Sequence, residues 1–168
     1  VPRPFDVSTE SPATVAQIRS AFADEEYWRA RLAVYGGDTI TLDSLVVGAD
    51  DAIEVVTSQD LRHDVLPGLL ARAFPGDLMV IRKETWRIAE EGRVVGDVDI
   101  TASGAPIAGV GSALLAPAGQ GSLLRFTGTV QVRLPLIGGQ IEKWIGGQVA
   151  EEIPGVQRFT STWIAENG

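Results

Sequence analysis

The sequence predicts an α+β domain with a curved antiparallel sheet of about seven strands. Two short helices follow the first strand, and a long C-terminal helix lies against the sheet's concave face. Three observations carry this. Six consecutive segments between Thr39 and Leu134 have strand patterning and fall into three hairpins. One long stretch, Gly138–Asn167, has apolar residues at i+3 and i+4. The chain has 168 residues and no Cys, which suits a single domain over 1–168 that buries its own core without disulfides.

Phe5–Thr9 alternates apolar and polar residues and reads as the first strand. Ser11-Pro12 then reads as an N-cap followed by proline at the first helical position. Val15, Ile18 and Phe22 give that helix one apolar stripe. Asp24 starts a second helix through Tyr27, Trp28, Leu32 and Tyr35, which Gly36-Gly37 ends. Strands are expected over Thr39–Val47 and Ile53–His63, joined by a turn at Gly48–Ala52. The second pair is Leu78–Ile88 and Arg93–Thr101 around Ala89–Gly92. The third is Ile107–Ala116 and Ser122–Leu134 around Pro117–Gly121. The last of these puts Leu124, Phe126, Gly128, Val130 and Val132 on one face and polar residues on the other, the pattern of a sheet with one dry side.

Asp64–Pro75 interrupts the series. Leu66, Leu69, Leu70 and Phe74 lie at helical spacing between Pro67 and Pro75, which reads as a short helix or compact loop across an apolar surface. In the closing helix the stripe is Ile141, Ile145, Val149, Ile153 and Val156, then Phe159 and Trp163. Pro154-Gly155 is expected to kink it. A strongly curled sheet around one helix leaves space that is either packed or a pocket.

Composition excludes much chemistry. Without Cys there is no thiolate metal site, iron–sulfur cluster or cysteine nucleophile, and with one His, at position 63, no two-histidine metal site. No Asp/Glu spacing matches a calcium loop, and no glycine pattern matches a nucleotide cradle or nucleophile elbow. Neither metal nor cofactor is expected. A formal net charge of −8 argues against a nucleic-acid partner. The uncharged run 100–124 is broken by Gly104, Pro106, Gly109, Gly111, Pro117, Gly119 and Gly121, which suits a buried hairpin and not a membrane span. Val1-Pro2-Arg3-Pro4-Phe5-Asp6 has no apolar leader, so a cytoplasmic location is expected, although a chain starting at Val1 leaves a removed leader open.

Three places carry a family resemblance. One is the opening, Phe5-Asp6-Val7-Ser8-Thr9-Glu10-Ser11-Pro12-Ala13-Thr14-Val15, followed by Ala23–Trp28. A second is Arg82-Lys83-Glu84-Thr85-Trp86. The third is Gly138–Trp144 at the head of the closing helix with Phe159–Trp163 near its end. With the element order, these resemble the START-like superfamily, also called SRPBCC or helix-grip, and within it an uncharacterised actinobacterial branch of unknown function. The resemblance spans nearly the whole chain. It implies a hydrophobic cavity between sheet and closing helix, which the superfamily uses for lipids, sterols, polyketides and other apolar molecules. Which ligand does not follow, because one fold hosts many functions.

The expected partner is therefore a hydrophobic small molecule or lipid, with oligomeric state open. The candidate cavity residues are Trp28 and Leu32 on the second helix, His63, and Leu66, Leu69, Leu70 and Phe74 in the insert. From the strands come Arg82, Glu84, Trp86, Phe126 and Val130, and from the closing helix Ile141, Ile145, Gln148 and Val149. Arg82, Glu84 and Trp86 share one face of a strand, so an inward Arg–Glu pair could hold a ligand's polar head or serve as a structural ion pair. His63 reads either as a polar contact or base at the cavity mouth or as a hydrogen-bonded strand-end residue. Gln148, next to Gly146-Gly147, reads as a ligand contact or a solvated flank. Two other functions stay open: a polyketide aromatase/cyclase-like enzyme, and an interaction module docking through Leu66–Phe74.

Overall fold

A computed structural model describes residues 2–61 and 68–168, without the side chains of Leu69 and Leu70. The chain runs β1 (Arg3–Ser11), α1 (Val15–Phe22), α2 (Glu25–Tyr35), β2 (Ile40–Val47), β3 (Ile53–Leu61), α3 (Gly68–Ala73), β4 (Leu78–Ile88), β5 (Val94–Ser103), β6 (Ile107–Ala118), β7 (Gly121–Val132) and α4 (Gly138–Asn167). The seven strands form one sheet in the order β1-β7-β6-β5-β4-β3-β2, and every pairing is antiparallel. β1 and β2 therefore lie at opposite edges, and α1 and α2 carry the chain between them. β2 to β7 form the expected meander.

The local starts and stops follow capping chemistry. α1 begins later than the Ser11-Pro12 pair suggests. Ser11 still belongs to β1, and its hydroxyl accepts from the Ala13 amide at 3.1 Å. Thr14 is the true cap: its hydroxyl accepts from Gln17 N, and the Gln17 side chain accepts in return from Thr14 N, a complete capping box. Asp24 caps α2 as expected, accepting from Glu26 N at 2.9 Å. β7 ends at Val132 and not at Leu134, and the buried Glu142 carboxylate on α4 takes the Val132 amide at 2.8 Å. That bond also ties the start of α4 to the sheet. α4 runs as one helix through Pro154.

Three glycines on the inner face are receivers for rings. A Cβ on Gly96 would stand 2.6 Å from the Trp86 ring, one on Gly111 2.6 Å from Phe126, and one on Gly128 2.8 Å from Phe5. The ladder sets this up, since Gly96 pairs with Trp86, and Gly128 pairs with both Phe5 and Gly111. Large rings thus lie flat over missing side chains, and Phe5 and Phe126 stack at 5.6 Å.

Among the described residues the buried apolar side chains gather in two clusters. The larger joins α1 and α2 to the sheet through Ile18, Phe22, Tyr27, Trp28, Ile53, Val55, Trp86 and Leu115. The smaller gathers Phe74, Leu78, Val132 and Ile141. α4 touches both: Ile141 near its start is fully buried in the small cluster, and Ile164 near its end is buried in the large one.

Candidate functional site

Between the two clusters the inner face is hollow. A cavity of about 120 Å³ lies there. Its floor is strand residues of alternating register: Glu84 and Trp86 on β4, Val98 and Ile100 on β5, Ile107, Gly109 and Gly111 on β6, and Leu124, Phe126 and Val130 on β7. Its roof is one stripe of α4: Ile145, Val149, Glu152, Ile153, Val156 and Gln157. Phe5, Phe22, Arg31 and Arg82, with Val110 and Thr129 of the other strand register, complete the lining.

Two features hold the space open. Gly109 has the inward register, yet a Cβ there would meet only Thr129 O at 3.6 Å and Ile100 Cβ at 3.9 Å, ordinary contact distances. No ring covers it, unlike Gly111 two residues on. The roof stripe is also less covered than the helix ends. Ile145, Val149, Ile153 and Val156 are half-buried, whereas Ile141, Thr160 and Ile164 are buried.

The polar part of the wall centres on Glu84, which is 2 % exposed. One carboxylate oxygen accepts from Arg82 Nε at 2.9 Å and the other from Trp86 Nε1 at 3.2 Å. Burial pushes this carboxyl up, but the Arg82 and Arg31 charges and the two N–H donors outweigh it and hold the group below its ordinary value. Glu84 is therefore an anion in the apolar wall. Arg31 lies 4.6 Å over the Trp28 ring. Burial works against its charge, but the Tyr27 phenol and the Glu84 and Glu152 carboxylates outweigh that, so it stays a cation.

Gln157 is the other polar residue of interest. It is 3 % exposed, and its amide nitrogen is buried without a hydrogen-bond partner. Its neighbour along the helix, Thr160, is fully satisfied: its hydroxyl donates to Val156 O at 2.8 Å and accepts from Tyr27 at 2.6 Å.

The structure brings seven of the expected residues to this wall: Arg82, Glu84, Trp86, Phe126, Val130, Ile145 and Val149. Others lie off it. Trp28 is 1 % exposed in the large cluster, its indole N–H donating to Phe22 O at 2.7 Å. Ile141 and Phe74 fill the small cluster, because Ile141 lies one turn too early to reach the gap. Leu32 is half-buried away from the wall, and Gln148 is exposed on the helix flank. His63 and Leu66 fall outside the described residues, as do the side chains of Leu69 and Leu70.

Sequence reasoning passed over Arg31, Glu152 and Gln157. Signals existed for two of them. Arg31 follows Trp28 by three residues on one helix, a spacing that stacks side chains. Gln157 continues the four-residue ladder Ile141, Ile145, Val149, Ile153, a polar residue where the stripe calls for an apolar one.

A family profile for a protein of unknown function, DUF2505, matches residues 6–164. The chain belongs to the DUF2505 family. The uncharacterized protein Rv0481c of Mycobacterium tuberculosis is 40% identical to this DUF2505 chain over 173 residues, covering 99% of each. Among solved structures, Ara h 8.0201 matches with a TM-score of 0.60 at 15% identity, over 99% of this chain and 100% of the other. A START superfamily protein from Mycobacterium smegmatis matches with a TM-score of 0.53 at 12% identity, over 98% and 99%. The DUF2505 chain thus has the START-like, helix-grip fold. Among the described residues, no helix is long and apolar enough to cross a membrane, and no group of three or more His, Asp or Glu could hold a metal.

Proposed function

We propose that this domain binds a small hydrophobic molecule in the cavity between sheet and α4. The observation that carries the reading is the unfilled gap of about 120 Å³ between two well-packed clusters. A dry apolar cavity of about 150 Å³ holds benzene, so this gap, somewhat smaller, is on the scale of one small ring. Ile145, Val149, Ile153 and Val156 are half-buried, so a ligand would cover apolar surface at about 25 cal/mol per Å². The superfamily's use of this space for apolar molecules agrees with it.

Carriage fits better than catalysis. A general acid or base works best with a pKa near the working pH. Glu84 is held low by two arginines, and each oxygen already accepts a hydrogen bond. Docking through the insert is less well supported, because Phe74 is 5% exposed and faces Leu78, Val132 and Ile141.

The test is native mass spectrometry of protein from its own host, beside Gly109→Leu. A Leu grown from Gly109 projects into the cavity, whereas the first atom of its side chain meets no clash. A co-purified apolar mass that Gly109→Leu excludes, with the fold intact by circular dichroism, is the expected result. Equal retention by both proteins would move the ligand elsewhere and end the proposal.

A further inference from the structure

We infer that the ligand is uncharged and carries an oxygen that accepts a hydrogen bond from the Gln157 amide. The inference rests on the cavity-binding reading above and adds the ligand's chemical class.

Two observations point to it. The first is the orphaned amide. Gln157 is a wall residue, 3 % exposed, and its nitrogen has no partner. A buried amide without a hydrogen bond is destabilising, and a Leu in the same place would not be. The residue continues the apolar ladder of α4, so neither helix formation nor packing requires an amide there. The last torsion of a Gln side chain is broad and soft. The amide can therefore turn its N–H toward an oxygen in the adjoining space.

The second is charge. The wall holds Arg31 and Arg82 against Glu84 and Glu152, so its formal charges cancel. Arg82 and Glu84 are already bonded to each other at 2.9 Å. An anionic ligand would compete with Glu84 and Glu152 for Arg82 and Arg31, and a cation would compete with the two arginines for those carboxylates. A neutral molecule with one acceptor, such as a ketone, ester or lactone on a small ring, leaves the pair intact and satisfies Gln157.

The experiment uses acetophenone and ethylbenzene, which differ mainly by carbonyl against methylene, with benzoate as the anionic comparison. Affinities are measured by calorimetry for the wild-type chain and for Gln157→Leu. The acetophenone-to-ethylbenzene affinity ratio should fall about fivefold in the variant, the worth of one hydrogen bond. The carbonyl stretch of bound acetophenone should lie at lower frequency in the wild type than in Gln157→Leu. Without ligand, the variant should melt at or above the wild-type temperature. An unchanged ratio, with ethylbenzene still bound, overturns this inference and leaves the cavity reading standing. Failure of both neutral probes to bind overturns both. Benzoate binding tighter than acetophenone overturns the uncharged ligand, and a sharply lower melting temperature for Gln157→Leu would mean the amide is structural.

Discussion

Gly111 and Gly109 are two residues apart on β6, face the same side of the sheet and both line the cavity, but they differ in what covers them. Gly111 receives the Phe126 ring and belongs to a stack of rings over glycines that continues into the large cluster. Gly109 receives no ring, only ordinary contacts from Thr129 and Ile100, and is part of the cavity floor. The same contrast along α4 separates Ile141 and Ile164, which are buried, from Ile145, Val149, Ile153 and Val156, which are half-buried. One sheet and one helix thus make a solid region and a hollow one. What differs is where the rings go. Phe22, Tyr27, Trp28 and Trp86 converge at one end, with Phe22 and Trp86 4.8 Å apart, and no ring lies over Gly109.

The largest test of this contrast is Trp28→Ala. Trp28 is 1 % exposed, packs edge-on to Tyr27 at 5.5 Å and lies under Arg31. Its removal should destabilise the fold by about 4 kcal/mol, read from urea denaturation. A loss below about 1 kcal/mol would mean the large cluster collapses onto the gap and is not the rigid region described above.

The helix provides the next test, within one element. Ile141→Ala empties a fully buried site and should cost about 3 kcal/mol. Val149→Ala trims a half-buried cavity wall and should cost about 1 kcal/mol, while weakening binding of an apolar probe. Equal losses at the two positions would erase the distinction between packed and hollow stretches of α4.

The fold was legible because its signals are local and repeated. Period-two strands, three turns and one long helical stripe survive any detail of packing, and the stripe from Ile141 to Trp163 marks the helix that spans Gly138–Asn167. The cap of α1 was misplaced by three residues because Ser11-Pro12 and Thr14 both satisfy local rules, and only the pairing of Ser11 with Ser122 on β7 decides between them. The cavity was half legible. Arg82, Glu84 and Trp86 share a strand face, so alternation alone brings them together. Trp28 and Ile141 have equally apolar settings, and which stretch of an apolar stripe meets side chains and which meets space depends on the rings across from it. Arg31 is there because α2 crosses to the far edge of the sheet, a long-range fact that no short window holds.

Glu84→Gln probes the polar rim of the hollow region. The substitution keeps shape but removes the charge that balances Arg82 and Arg31, so a loss of about 2 kcal/mol is expected at pH 7. The pH dependence has a definite sign. The folded-state pKa lies below the ordinary value of 4.5, so the folded chain holds its proton less tightly than the unfolded chain. That stabilisation is complete above the unfolded value and is lost as pH falls through the folded one. Wild-type stability should therefore fall on acidification below about pH 4.5 more steeply than that of Glu84→Gln. Parallel acid limbs in the two proteins would show that Glu84 is not held ionised.

The smallest effects belong to the two glycines, and they test the contrast most directly because the substitution is identical. At Gly111 a methyl would stand 2.6 Å from the Phe126 ring, so the ring must leave its stack with Phe5. Overpacking of this kind should destabilise by about 1–2 kcal/mol. At Gly109 the same methyl meets nothing closer than 3.6 Å and points into the cavity. Replacing a strand glycine also lowers the entropy of the unfolded chain, so Gly109→Ala should be neutral or stabilising by about 0.5 kcal/mol. The sign of the difference is what matters. If Gly109→Ala proved the more harmful of the two, the floor of the cavity would be a packed surface, and the space assigned to a ligand would belong to the protein's own side chains.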